Sequence, residues 1–208
     1  MRLSLLVSCL IISAARPVLA QNAYVNLGRQ ALMDGDFKTA VQHLEKACIV
    51  DSTNANALWM LGYSYYHNES YKKSIAAYTR VINIKPADYM AYYYRARAKC
   101  YLAKDNQTTA AEKEKWMLGA IFDFTKAIEI APADMKIYQN RGIAYREYGV
   151  FKLQQHNAKP NDRARGINSL KASITDLEKV LNDNPSRADI ESLIALSKEK
   201  LATAVGHH

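Results

Sequence analysis

The chain has 208 residues, of which 49% are hydrophobic and 23% charged, a balance that is ordinary for a globular protein. Its formal net charge of +8 is moderate, and the basic residues are scattered along the sequence. Three cysteines are too few for a disulfide framework in a chain this long, so we expect packing and not crosslinks to hold the fold.

The first twenty residues resemble a secretory signal peptide. Arg2 supplies a charged start, residues 3–15 are apolar, and Val18-Leu19-Ala20 offers a small-residue cleavage site. A membrane anchor is less favoured because an apolar run this short does not span a bilayer. A lipoprotein interpretation through Cys9 has too short an apolar lead-in. We therefore expect an exported protein, periplasmic or secreted, without a transmembrane segment after signal removal.

One pattern recurs four times after the signal peptide. Each copy has a small residue in a first helical stretch, a small residue in a second stretch, a bulky residue four positions later, and a closing turn residue. The four sets are Gly28, Ala40, Leu44 and Ser52; Gly62, Ser74, Tyr78 and Pro86; Ala96, Ala120, Phe124 and Pro132; Gly142, Ser173, Leu177 and Pro185. The second-half residues advance by 34, 46 and 53 positions, so the unit is 34 residues long and is expanded in copies three and four. Such a period is typical of helix-turn-helix solenoids.

The predicted units follow one another along a single solenoid over residues 21–208. Their approximate bounds are 21–54, 55–88, 89–134 and 135–187, followed by a capping helix over 187–205. Small residues let two antiparallel helices approach closely, and the bulky partner fills the space beside them. A proline then ends the second helix, since it lacks an N–H and disfavours α geometry in its predecessor.

Both expansions fall between the two helices of their unit, near residues 102–116 and 150–166. In the first, good helix formers follow Thr109, so we expect the second helix to begin there. In the second, Phe151 and Leu153 prolong the first helix and Pro160 breaks it, after which Asn161 or Asp162 would cap the next helix. The longer hairpins would project from one edge.

The last predicted helix follows Pro185. Ser186 and Asp189 stand three positions apart ahead of an apolar periodic stretch, as in a capping box. The helix occupies a fifth first-helix position without a partner helix, and solenoids need such a terminal cap to cover their last apolar face.

This pattern resembles the tetratricopeptide repeat family over residues 21–186. The matching residues are Leu27-Gly28, Ala40, Leu61-Gly62 with Tyr65, Arg95-Ala96, Ala120 with Phe124 and Ala127, Arg141-Gly142 with Tyr145, and the closing prolines. The resemblance implies an all-α, right-handed superhelical solenoid of four helix-turn-helix units plus a C-terminal capping helix. Ser52 in place of a proline and Lys99 in place of the usual aromatic residue depart from the family pattern.

In this family the first helices line a concave face on which a peptide segment or protein partner lies. The lining residues expected here are Asn26, Arg29, Trp59, Tyr63, Tyr93, Tyr94, Arg97, Tyr101, Gln139, Asn140 and Arg146. Trp, Tyr and Arg are enriched at binding hot spots, and amides bond a peptide backbone in both directions. Packing of some tyrosines in the core is the alternative. Some members grip a terminal carboxylate with a lysine and an asparagine, but Val25 and Arg29 hold those places here.

No catalytic pattern is found. The sequence has no Gly-rich phosphate loop and no nucleophile elbow, and His43, His67 and His156 lack neighbours at metal-ligand spacing. Cys48 and Cys100 fall in helices that would not touch, and we interpret both as small buried apolar residues.

The predicted function is therefore a non-catalytic adaptor or scaffold, secreted or in the cell envelope, without cofactor or metal. It would bind a protein or peptide partner and not nucleic acid, and its oligomeric state is left open. The alternative is attraction of an anionic polymer or membrane surface to a basic arm in the fourth unit, against the plainer interpretation of a solvated loop. The arm consists of Lys152, Lys159, Arg163 and Arg165.

Overall fold

The computed structural model describes residues 22–154 and 160–206, so the predicted signal peptide, His156 and Lys159 lie outside the described residues. Secondary structure over the described ranges is helical, which confirms the all-α prediction. The helices are α1 (residues 22–33), α2 (Phe37–Val50), α3 (Ala55–His67), α4 (Tyr71–Ile84), α5 (Tyr89–Lys104), α6 (Ala110–Ile130), α7 (Met135–Leu153), α8 (Pro160–Asp183) and α9 (Ala188–Gly206). Each helix packs on the next within two compact units, one ending at Ala87 and one beginning at Asp88.

The starts of the first helices keep the predicted register. Helices α3, α5, α7 and α9 each begin three residues after a turn residue of the repeat. Asn54, Asp88 and Asp134 cap the first three of them, and each side chain accepts a hydrogen bond from a backbone N–H of the first turn. A short polar side chain at the N-cap satisfies a backbone donor that has no partner within the helix.

Small residues allow the paired helices to pack closely, as predicted. A Cβ placed on Gly28 would lie 2.5 Å from Leu44 Cγ, and one placed on Gly142 would lie 2.9 Å from Leu177 Cγ. A Cβ placed on Gly62 would lie 3.1 Å from the nearest ring atoms of Tyr78. In the third copy, alanine replaces glycine. The facing positions are Gly28 with Leu44, Gly62 with Tyr78, Ala96 with Phe124, and Gly142 with Leu177.

The first expansion extends α6 backwards as predicted. Thr109 is the N-cap of this 21-residue helix. Its Oγ1 accepts a hydrogen bond from Glu112 N at 3.3 Å, and Glu112 Oε2 accepts one from Thr109 N at 3.1 Å. This reciprocal arrangement satisfies two backbone donors and explains why the helix begins here.

In the second expansion, α7 continues through Phe151 to Leu153, which confirms the predicted prolongation. Helix α8 begins at Pro160, so the prediction that Asn161 or Asp162 caps it is wrong. A proline suits the first helical position, because its fixed φ is helical and its missing N–H would have no partner there. Asn161 and Asp162 therefore lie inside the first turn.

Helix α9 begins at Ala188, and the predicted capping box does not form. Asn184 Oδ1 accepts hydrogen bonds from Ser186 N at 3.2 Å and Ser186 Oγ at 2.7 Å. Asp189 is held by Arg187, with an Nη2–Oδ2 distance of 2.7 Å. Ser186 and Asp189 thus bond to Asn184 and Arg187 instead of forming the predicted capping box. The helix packs on α8 and buries Ile190 and Ile194.

The two described cysteines, Cys48 in α2 and Cys100 in α5, are both free. Cys48 is buried, while Cys100 is partly buried against an apolar cluster. Burial raises the pKa of both thiols, that of Cys100 to about 12. These surroundings confirm their interpretation as small apolar residues. Over residues 22–154 and 160–206, no helix has both the length and the apolar character needed to cross a bilayer.

Candidate partner-binding surfaces

In the first unit, α3 carries a row of aromatic side chains that begins at Trp59. Trp59 and Tyr63 stack, with ring centroids 5.6 Å apart and an interplanar angle of 12°. Tyr63 contacts His67 at 4.3 Å, and His67 stacks on Phe37 of α2 at 4.6 Å. Steps of four residues keep the three α3 side chains on one helix face. All four side chains, which we call the α3 aromatic row, remain at least partly exposed.

Phe37 and His67 are members of this row that the sequence analysis did not assign to it. The sequence analysis considers His67 only as a metal ligand. The spacing of His67, four residues after Tyr63, is the signal that identifies it. Phe37 carries no comparable signal, because its contact with α3 depends on how the two helices pair.

The predicted binding residues of α1 are exposed, but they are polar and are not part of the α3 aromatic row. Arg29 Nη1 donates a hydrogen bond to Asn26 Oδ1 at 3.4 Å, and both side chains are exposed. Val25 is buried, and so is Tyr66 of α3, so these two belong to the core of the first unit.

In the second unit, Arg97 lies against two tyrosines of its own helix. Its guanidinium carbon is 5.6 Å from the Tyr93 ring centroid and 5.8 Å from that of Tyr94. Both distances are within the range of cation–π attraction. The two rings meet edge to face at 5.3 Å. This arrangement fixes a positive charge at the surface of α5.

A polar contact joins this cluster to α7. Asn140 Nδ2 donates to Tyr93 Oη at 3.3 Å and to the Lys136 carbonyl at 2.8 Å. Desolvation by burial raises the pKa of Tyr93, so its hydroxyl stays protonated. Next to Asn140, Gln139 Oε1 accepts a hydrogen bond from Arg187 Nη2 of α9 at 3.2 Å.

These bonds leave complementary groups on two adjacent amides. Asn140 uses its NH₂ group for both contacts, and Gln139 uses its oxygen. Among the described residues, Asn140 Oδ1 and Gln139 Nε2 make no hydrogen bond, so one acceptor and one donor are available. We call Tyr93, Tyr94, Arg97, Gln139 and Asn140 the α5–α7 polar surface.

The remaining two predicted binding residues lie toward the ends of α5 and α7. Tyr101 is 44% exposed and follows Arg97 by one helical turn. Arg146 lies about 9 Å along α7 from Asn140, at 1.5 Å per residue. It lines a pocket with the end of α5 and the start of α6, so it is not a member of the α5–α7 polar surface.

The second unit also contains buried ion pairs that the sequence analysis missed. Asp123 accepts from Arg95 Nε at 2.8 Å and Nη2 at 2.7 Å, and from Lys99 Nζ at 2.7 Å. Arg141 and Asp176 form a similar two-bond pair at 2.8 Å. Desolvation lowers the pKa of Lys99, and Asp123 opposes that change.

A repeated sequence signal identifies these pairs in retrospect. In copies three and four, an arginine directly precedes the small residue of the first helix, and an aspartate directly precedes the bulky residue of the second. Lys99, the departure from the family pattern, is the second cation on Asp123.

The described members of the predicted basic arm, Lys152, Arg163 and Arg165, do not form an exposed basic cluster. Lys152 is only 5% exposed, and its Nζ lies 3.0 Å from Glu114 and 2.7 Å from Asp162. Arg163 Nη2 donates to the Ala204 carbonyl at 2.6 Å. Arg165, which is about half exposed, is 3.8 Å from Glu114. The fold thus surrounds these three cations with acids and a carbonyl, so they give no support to binding of an anionic surface.

Consecutive pairs of helices that repeat one packing pattern place the chain among helical-repeat proteins. Residues 55–88 match the tetratricopeptide repeat model. No curated protein matches the chain. MamA 41-end from Desulfovibrio magneticus RS-1 has a TM-score of 0.67 and 17% identity, with 90% of each chain covered. A thermophilic TPR protein of Thermus thermophilus has a TM-score of 0.53 and 16% identity, covering 85% of this chain and 98% of its own.

A mutant O-GlcNAc transferase of Thermobaculum terrenum is also similar, with a TM-score of 0.56 and 12% identity. The likeness covers 81% of this chain but 27% of that protein. At these identities the likenesses concern the fold. The chain therefore has a TPR-like solenoid fold, and residues 55–88 match a tetratricopeptide repeat. Proteins of this class generally act as scaffolds for protein–protein interaction.

Proposed function

We propose that this protein is a non-catalytic adaptor that binds an extended peptide segment of a protein partner through its first helices. The observation that carries this proposal is the composition of the partly exposed first-helix positions. Aromatic rings stack on α3, and an arginine held by tyrosines lies on α5, beside two amides of α7. Asn26, Arg29 and Tyr101 would extend these contacts.

Each surface suits a different feature of such a segment. Trp59 and Tyr63 offer wide ring faces to an apolar or aromatic anchor side chain. Arg97 offers a cation to an acidic side chain, and its contacts with two tyrosines limit its conformational freedom. Gln139 Nε2 and Asn140 Oδ1 match the carbonyl and N–H of an extended backbone.

Selection from a random 12-residue peptide library, using residues 21–208 as bait, tests this proposal. The affinity of selected peptides would be measured by fluorescence anisotropy for the wild type and for Trp59→Ala, Arg97→Ala and Asn140→Ala. Loss of a hot-spot residue costs about 2 kcal/mol or more, which is roughly thirtyfold in affinity. We expect such a loss from at least one of these variants for each peptide.

The matched control is Phe122→Ala, which removes a 57% exposed aromatic side chain from the second helix α6. It should leave affinity unchanged. Peptides that bind the three first-helix variants as tightly as the wild type, or that lose as much affinity with Phe122→Ala, would refute the assignment.

We also propose that the protein is exported, on the support of the charged start, apolar run and small-residue site in residues 1–20. Expression of the full chain, followed by cell fractionation and N-terminal sequencing, should recover a periplasmic or secreted protein that begins at Gln21. Recovery of a cytoplasmic chain that retains the apolar run would contradict export.

A further inference from the structure

An open pocket of about 350 Å³ lies in the second unit, where α5 and α7 end and α6 begins. Its volume falls in the range of about 300–1,000 Å³ that is common for small-molecule sites. Much of its lining is apolar. The main apolar side chains are Met117 of α6 and Val150 and Phe151 of α7.

The charged side chains that line this pocket carry more positive than negative charge. Lys104, Lys113, Arg146 and Glu147 all contribute to it. Lys104 Nζ lies 2.9 Å from Glu147 Oε1, so these two charges compensate each other. Lys113 and Arg146 remain as two surplus positive charges.

Neither surplus cation has a side-chain partner in the described ranges. The side chains of Lys113 and Arg146 make no ion pair or hydrogen bond with any residue of 22–154 or 160–206. Arg146 Nε is in addition buried without a hydrogen-bond partner. A buried donor without an acceptor is unfavourable, so an anion at this guanidinium would gain a charge-assisted interaction.

We propose that this pocket binds a small apolar carboxylate, of which a medium-chain fatty acid is the simplest example. The carboxylate lies beside Arg146 and Lys113, and the hydrocarbon chain covers the apolar wall of Met117, Val150 and Phe151. A neutral ligand of the same shape would leave the surplus charge uncompensated, and an amine would be repelled by it. An acid without a hydrocarbon chain would not use the apolar wall.

This proposal goes beyond the binding of a peptide segment. Lys113 and the apolar wall belong neither to the α3 aromatic row nor to the α5–α7 polar surface. The pocket would let a small metabolite bind to the same unit that carries Arg97 and Asn140. Failure of peptide selection would therefore leave this site untouched, and failure of acid binding would not affect the peptide surfaces.

Calorimetric titration of residues 21–208 with sodium octanoate tests the proposal. Octanol, octylamine and acetate serve as the neutral, cationic and chainless probes. We expect octanoate to bind saturably and at least about tenfold more tightly than any of the three, which corresponds to about 1.4 kcal/mol. Binding should weaken as salt is added, because ions screen the attraction of exposed charges.

Three lysine and arginine variants locate the site. Arg146→Gln and Lys113→Gln should each weaken octanoate binding about tenfold, again about 1.4 kcal/mol. Lys171→Gln removes the same charge from an exposed position of α8 and should have no effect. Thermal unfolding followed by circular dichroism would verify that each variant is folded.

The partly exposed Lys113 keeps the test decisive if Arg146→Gln fails to fold. Octanol that binds as tightly as octanoate would overturn the proposal. So would Arg146→Gln and Lys113→Gln proteins that bind octanoate like the wild type, or the absence of saturable octanoate binding, which would mean that the pocket holds only water.

Discussion

Replacing Asp123 by asparagine tests whether buried charge stabilises the second unit. The Asp123 side chain is fully buried, and it accepts three hydrogen bonds from Arg95 and Lys99 at 2.7 to 2.8 Å. Asparagine removes the negative charge that faces these two cations, whose side chains are 13% and 14% exposed. Removal of one partner from a buried pair costs about 3–5 kcal/mol, against about 1 kcal/mol for an average substitution.

The repeat supplies a matched compensating variant. One copy earlier, the same three register positions are held by Leu61, Tyr65 and Ala77. The triple variant Arg95→Leu, Lys99→Tyr, Asp123→Ala places these uncharged side chains at the equivalent positions of the second unit. Replacement of buried ion pairs by well-packed apolar groups is often neutral or stabilising. We therefore expect the triple variant to recover most of the stability that Asp123→Asn loses.

Urea denaturation followed by circular dichroism would give the free energies of unfolding. Hydrogen exchange of the native protein would locate the effect, since neighbouring repeats need not unfold together. We expect Asp123→Asn to accelerate exchange mainly in α5 and α6. An Asp123→Asn protein within about 1 kcal/mol of the wild type, or a triple variant as unstable as the single one, would refute the reasoning.

Three further predictions concern single contacts. Gly149→Ala should lower the free energy of unfolding, measured by urea denaturation, by about 1–3 kcal/mol, because the added Cβ would lie 2.9 Å from the Gly166 carbonyl oxygen. Gly206→Ala, whose added Cβ would have no atom within 4 Å, should change this free energy little. Equal losses for the two variants would contradict the clash at Gly149. Thr109→Ala should cost about 1 kcal/mol and speed hydrogen exchange at the start of α6, and unchanged exchange there would argue against the capping box. Burial raises the pKa of the Cys100 thiol from 9.0 to about 12. Between these pH values the folded protein keeps a proton that the unfolded chain releases. The free energy of unfolding should therefore fall as pH rises from 9.0 to about 12. Cys100→Ala should make this fall shallower in urea denaturation, and a parallel curve would contradict the assignment.

The repeat register is readable from the sequence because each of its signals is local. Gly28 and Leu44 lie in adjacent helices whose pairing is set by a short turn, and Thr109 caps the helix that follows it directly. The cap of α8 shows how local rules compete: Asn161 and Asp162 are good N-caps, but Pro160 before them already suits the first helical turn. Choosing between the two rules requires knowledge of where the preceding chain runs.

The environment of individual charges depends on partners that are distant in the sequence. Lys152 contacts Glu114 across 38 residues, and Arg187 contacts Gln139 across 48. A cluster of basic residues in a sequence therefore does not establish an exposed basic surface. By contrast, Trp59 and Tyr63 are one helical turn apart, so their shared face is predictable from spacing alone.

The two units fill equivalent packing positions with different chemistry, and the helix lengths suggest a physical reason. The pairs in the second unit contain α6 and α8, of 21 and 24 residues, whereas the second helices of the first unit have 14 each. Two long apolar faces can slide by one turn and still bury similar area. A two-bond arginine–aspartate pair cannot, because the slide would leave both charges buried and unpaired. We infer that Arg95–Asp123 fixes the register of the α5–α6 hairpin and that Arg141–Asp176 fixes that of the α7–α8 hairpin.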